Sequence, residues 1–151
     1  MDSNTILSSF ISDYETYSSS DSRDAVELVL KYSGQEFDIR GRGDIKSEVV
    51  VFRWGAGNSD YLLEAEKPDE LVRNFTALVY VAQSDHQTTK EARYDRLLDL
   101  QDQLIDWSIQ VEATSVNTDL YTITFTGVED TDEENGYIST TVNFQSIIKL
   151  S

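Results

Sequence analysis

The chain of 151 residues carries 28 Asp plus Glu against 12 Lys plus Arg, a formal charge of -16 and a pI near 4.2. That balance argues against a bare phosphate backbone as partner, which needs clustered Lys and Arg, and the lack of cysteine excludes disulfides and thiolate metal sites. Hydrophobic content of 39% and aromatic content of 11% suit one domain over residues 1–151 with a real core, and not a disordered chain.

The first helix is predicted from Ser3, as cap, through Ile6, Leu7, Phe10, Ile11, Tyr14 and Tyr17, which recur at helical spacing. It is expected to stop in the polar run Ser18-Ser19-Ser20-Asp21-Ser22. Residues 25–32 read as a strand, because Val26, Leu28, Leu30 and Tyr32 alternate; Val29 breaks the polar face, so a helical turn is the rival. Gly41-Arg42-Gly43-Asp44 marks a turn-rich stretch. Val49-Val50-Val51-Phe52-Arg53-Trp54 is a strong short strand, ended by Gly55-Ala56-Gly57. Tyr61-Leu62-Leu63 reads as another, and Pro68 precedes a long strand over residues 73–83. There Phe75, Ala77, Val79 and Val81 line one face, with Leu78 and Tyr80 on the other, as expected of a central strand.

A second helix is predicted over residues 89–107, opened by a capping box of Thr88 and Glu91. Tyr94, Leu97, Leu98, Leu104 and Ile105 are its expected buried stripe. Three strands should follow. Ile109, Val111 and Ala113 alternate with polar residues, as do Tyr121, Ile123 and Phe125, and then Ile138, Thr140, Val142 and Phe144. The order predicts an α+β domain with a mostly antiparallel sheet and the helices packed on one of its faces.

Asp95, Asp99, Asp102 and Asp106 fall at i, i+4, i+7 and i+11 on the polar face of the second helix. Like charges so spaced repel by a few tenths of a kcal/mol each at low salt. At molar salt the Debye length falls to about 3 Å and such repulsion fades. We therefore expect a protein adapted to a halophile's cytoplasm or brine; an acidic mesophilic protein is the alternative. No apolar run approaches the roughly 18 residues of a membrane span. Met1-Asp2-Ser3-Asn4-Thr5 has no signal-peptide features, so cytoplasmic assembly is expected.

No residue pattern specifies catalysis. The acidic segment Glu129-Asp130-Thr131-Asp132-Glu133-Glu134-Asn135-Gly136 fails as an EF-hand: counted from Asp130, Asn135 holds position 6 and Thr141 position 12. It reads as a solvated hairpin tip closed by Asn135-Gly136. His86, the only histidine, has no triad or metal pattern around it. Arg40-Gly41-Arg42-Gly43-Asp44 lacks the Gly-Lys-Ser/Thr ending of a phosphate loop, but its arginines could meet a partner's carboxylates bidentately. Asn74-Phe75-Thr76 is a formal glycosylation acceptor placed in a central strand. The expectation is a non-enzymatic protein without cofactor or metal, working through its surfaces. The candidate contact residues are Arg40, Arg42, Asp44, Glu129, Asp130, Asp132, Glu133 and Glu134.

The chain also resembles the tail-terminator (tail-completion) proteins of long-tailed viruses. The likeness rests on the N-terminal helix, the strand Val49 to Trp54, the strand over residues 73–83, and the helix around Tyr94-Asp95-Arg96-Leu97-Leu98-Asp99. It extends to Tyr121-Thr122-Ile123-Thr124-Phe125 and Gly136-Tyr137-Ile138-Ser139-Thr140-Thr141-Val142-Asn143-Phe144. The resemblance implies a small α+β subunit that closes into a homo-oligomeric ring of six in the virion neck. Its partners would be the tail tube protein and the head-tail connector, with DNA passing through unbound and no membrane involved. Taken with the acid bias, it implies a tailed virus of a haloarchaeon. The alternatives are another neck component, an adaptor or a stopper, and an acidic inhibitor that mimics DNA.

Overall fold

In the computed structural model, residues 3–32, 48–55, 62–63, 70–82, 89–113, 121–134 and 137–149 are described. The strands are β1 (Val29–Lys31), β2 (Glu48–Trp54), β3 (Leu62–Leu63), β4 (Glu70–Ala82), β5 (Tyr121–Val128), β6 (Asp132–Glu134) and β7 (Tyr137–Lys149). They form one sheet in the order β1-β2-β4-β7-β5, with β3 added to β4 and β6 added to β7. Only the β1–β2 pairing is parallel among the described residues. The fold is α+β with a mostly antiparallel sheet, as the alternating strands require.

Helices α1 (Ser3–Ser20) and α2 (Lys90–Ala113) both pack on one face of that sheet. The face is set by register: Phe52 pairs with Ala77, Ala77 with Val142, and Phe75 with both Trp54 and Phe144. These side chains therefore point the same way. Phe10 of α1 fits among Phe75, Tyr121 and Trp54, with ring centroids 4.7, 4.6 and 5.6 Å away. Trp107 of α2 stands edge-on to Tyr14, Phe52 and Phe144 at 5.7 to 6.0 Å. Edge-to-face rings at such distances contribute about 0.5–1.5 kcal/mol per pair beyond their burial.

The central position expected for β4 holds, since β7 pairs along its whole length and β2 along residues 75–81 on the other side, with β3 beside residues 72–73. The final strand buries Ile138, Thr140, Val142, Phe144, Ser146 and Ile148 in strict alternation. On the opposite face Val49 and Val51 are buried too, so β2 is apolar on both sides. Gly55, at φ 98°, ends β2 by a turn that L side chains avoid, and its N–H donates to Asn74 O at 2.8 Å. Residues 25–32 yield a strand of only three residues, β1.

Several expectations are corrected. The strand predicted over residues 109–113 is the last turn of α2. Leu97, Leu100, Leu104, Trp107 and Val111 are buried along one helical stripe, which absorbs Val111 at a spacing of four from Trp107. A five-residue alternation cannot distinguish a strand from one face of a helix. Tyr94 is not in that stripe, being 43% exposed, and Leu98 and Ile105 are only half-buried. The cap of α2 is Thr89, whose Oγ1 accepts from Ala92 N–H at 3.0 Å; Thr88 lies outside the described residues. By contrast, α1 ends within the polar run, as expected. The helix continues to Ser20, and Ser18 is buried.

Candidate interaction surfaces

The first surface is the acidic segment. It is not a bare turn, because Asp132, Glu133 and Glu134 pair with Ser139, Ile138 and Tyr137 as an added strand beside β7. Glu129 is anchored as well. Its N–H donates to Thr141 O, and its carbonyl accepts from Thr140 Oγ1, both at 2.9 Å. Lys90 Nζ lies 2.7 Å from Glu133 Oε2, tying the segment to the start of α2. That pair is open to solvent and is worth under about 1 kcal/mol. A shallow depression of about 490 Å³ separates the two elements, lined by Tyr94, Asp132 and Ile138 among others. Asp130 and Asp132 remain exposed.

The second surface was missed in the sequence. At the opposite edge of the sheet a cleft of about 490 Å³ is lined by Ser3, Asn4, Lys31, Tyr32, Arg53 and Trp54, with Leu7 behind. Arg53 stacks over the Tyr32 ring at 5.3 Å, and Arg73 stacks over Trp54 at 4.2 Å. Lys31 Nζ donates to Asn4 Oδ1 at 2.5 Å. Ser3 is pinned from two sides: Trp54 Nε1 donates to its carbonyl at 3.1 Å and Arg73 Nη1 to its hydroxyl at 2.8 Å. The cations come from positions at least 20 residues apart, so no local motif announces them. The one available signal is Arg53 itself, a cation between Phe52 and Trp54 in an otherwise apolar strand.

The third surface is the acid stripe of α2, where Asp95, Asp99, Asp102 and Asp106 are all exposed as expected. Only Asp106 among them has an ion-pair partner among the described residues, Arg23 at 2.8 Å.

Beneath these surfaces lies a polar hub. Arg96 forks onto Glu48, Nε to Oε2 at 2.7 Å and Nη2 to Oε1 at 2.6 Å, and both side chains are nearly dry. The same guanidinium donates to the carbonyls of Arg23, Asp24 and Ala25. The Glu48 hydrogen bonds push the Arg96 pKa up further, against the cost of burial. Gln103, fully buried, accepts at Oε1 from Tyr14 Oη at 2.7 Å and Ser18 Oγ at 2.8 Å. Its Nε2 donates to Asp21 Oδ2 and to Asp24 O, each at 3.1 Å. These bonds hold Asp24 at φ 66°, the left-handed region.

Hydrogen bonds from Arg23 lower the Asp21 carboxyl to about 2, although burial opposes them. Burial raises the Tyr14 hydroxyl, with Ser18 opposing. Burial also raises the Tyr121 hydroxyl, which donates to Asp13. Every member of the hub thus has a structural partner, and the hub clamps residues 18–27 between α1, α2 and β2.

Arg40, Arg42, Asp44 and His86 lie outside the described residues. Among the described residues no group of three or more His, Asp and Glu is placed to hold a metal ion, and no helix is long and apolar enough to cross a membrane. Asn74 lies in β4, flanked by strands on both sides.

No family model matches this chain, and no curated protein does. Among solved structures, one protein superposes over 100% of this chain and 98% of its own length, at a TM-score of 0.52 and 9% identity. That likeness shows the fold alone.

Proposed function

We propose that this chain is a structural virion protein adapted to high salt. In this reading a ring of its copies caps the tail tube and joins it to the head-side connector. The observation that carries the reading is the architecture, an α+β subunit of the kind the tail-terminator resemblance implies, with an N-terminal helix and a long second helix on one face of a mostly antiparallel sheet. Among the described residues the sheet has two different edges, β1 on one side and β5 with β6 on the other. Contacts between unlike edges are heterologous, and such contacts close into rings when the rotation allows. The reading assigns no catalysis and no cofactor. The acid stripe of α2 suits a brine, and a negative lumen would let DNA slide without phosphate contacts.

The test is mass and shape by light scattering and electron microscopy in multimolar salt, with a search for the protein in purified virions. Closed rings of six copies and a place in the neck are expected. A monomer at every salt, or absence from virions, would remove the reading. One observation favours a second reading, an acidic inhibitor that mimics DNA: Asp95, Asp99 and Asp102 stand exposed along about 10 Å of helix. A monomer that competes with duplex DNA for a basic DNA-binding protein would establish that alternative.

A further inference from the structure

Cations are scarce in this chain, and three of the described ones pair with carboxylates within it. Arg23 pairs with Asp21 and Asp106, Arg96 with Glu48, and Lys90 with Glu133. Arg93 and Lys149 also have no carboxylate partner among the described residues, but Lys31 and Arg53 differ in sharing a cleft. They converge on one cleft, and no carboxylate among the described residues pairs with either. Two cations that share a cleft and have no carboxylate among the described residues mark a place for one from outside.

The geometry prepares them. Stacking on Tyr32 holds the Arg53 guanidinium plane in place, so its fork loses less freedom on meeting a carboxylate. Tyr32 and Trp54 supply apolar walls, which lower the local dielectric and strengthen an ion pair made between them. At molar salt long-range attraction is screened within about 3 Å, so only pairs in direct contact hold.

The molecule also carries the complement. Asp130 and Asp132 are exposed beside β7, at the sheet edge opposite to β1. Glu133, their neighbour, is already taken by Lys90. Four strand spacings separate the two edges, about 19 Å, too far for these groups to meet within one chain.

We propose that the cleft holding Lys31 and Arg53 receives the acidic edge of a second copy of this chain, through that copy's Asp130 and Asp132. The contact joins unlike edges, so each subunit offers one donor and one acceptor and the series can close on itself. It rests on the ring part of the proposed function, and it names the surface that makes the ring.

Charge reversal on the full chain tests it, read by sedimentation and electron microscopy, with melting curves as a fold control. Lys31→Glu with Arg53→Glu, or Asp130→Lys with Asp132→Lys, should each weaken self-association at least about tenfold and leave single subunits. All four changes on one chain should restore the ring, and so should mixing the two double variants. Because the chain has no cysteine of its own, Arg53→Cys combined with Asp130→Cys supplies an independent readout. Oxidation should yield a ladder of linked subunits, even where the reversals perturb folding.

Rings that survive both reversals, with no ladder, would overturn this contact and leave the ring reading standing. A wild-type chain that is monomeric at every salt would overturn both. Loss of assembly on reversing the cleft alone, with the acidic edge indifferent, would refute β6 as the occupant.

Discussion

The two faces of α2 carry charge under opposite conditions. Inward, Arg96 meets Glu48 as a dry, forked pair, with Gln103 two turns further on. Outward, Asp95, Asp99 and Asp102 stand in solvent with no ion-pair partner among the described residues. The inner charges act through stoichiometric partners, and losing one strands the other in a low dielectric. The outer charges act as a field, which salt can erase. One helix therefore contains both a salt-insensitive clamp and a salt-sensitive surface.

The largest expected effect comes from breaking the clamp. Arg96→Met should destabilise by about 3–5 kcal/mol, because Glu48 is left buried and unpaired. Chemical denaturation should find nearly the same loss at low and high salt. Adding Glu48→Leu to that variant should recover much of it; no recovery would mean the carbonyls of Arg23, Asp24 and Ala25 matter more than the ion pair.

Gln103→Leu comes next. It removes the acceptor shared by Tyr14 and Ser18 and the donor to Asp21 and Asp24. A loss of about 2 kcal/mol is expected for stranding buried hydroxyls. Amide exchange should rise first in residues 18–27; uniform loosening of the whole domain would contradict the clamp.

Acid should probe the same region. Asp21 titrates near 2 when folded, against an ordinary 3.8. A depressed folded value means the stabilisation is complete above about pH 4 and is lost as pH falls toward 2. Asp21→Asn should flatten that limb of the stability curve. An unchanged limb would show that other carboxylates control acid unfolding.

The smallest effect belongs to the outer face. Asp99→Lys with Asp102→Lys should stabilise by a few tenths of a kcal/mol at low salt and by almost nothing at molar salt. The wild-type melting temperature should rise steeply over the same range, as repulsion is screened and apolar burial is strengthened. Equal gains at both salts would mean these aspartates make specific contacts.

Which parts were legible follows from range. The strands β4, β5 and β7 could be read from alternation, because each strand's two faces are written in its own sequence, and β2 from its run of β-branched and aromatic residues. The end of α2 could not, since Ile109, Val111 and Ala113 fit both periods. Trp107, fully buried between Tyr14, Phe52 and Phe144, decided for helix. Similarly, Ser18 has the composition of a loop residue but is buried, because Gln103 and the Val26 N–H satisfy its hydroxyl.

Local pattern thus determined the α+β class, the exposed acid stripe and the alternation of the last strand, since each depends on neighbours within a few residues. Tertiary structure alone decided where the charged groups act. Arg96 reaches Glu48 across 48 positions, and the cleft gathers Ser3, Lys31 and Arg53 from three separate elements. The acidic segment, read as a hairpin tip, does pair with β7 across residues 135–136, and β7 is long enough to hold it beyond the end of β5. Ion pairs and strand pairings of this kind form through space, and sequence distance carries no record of them.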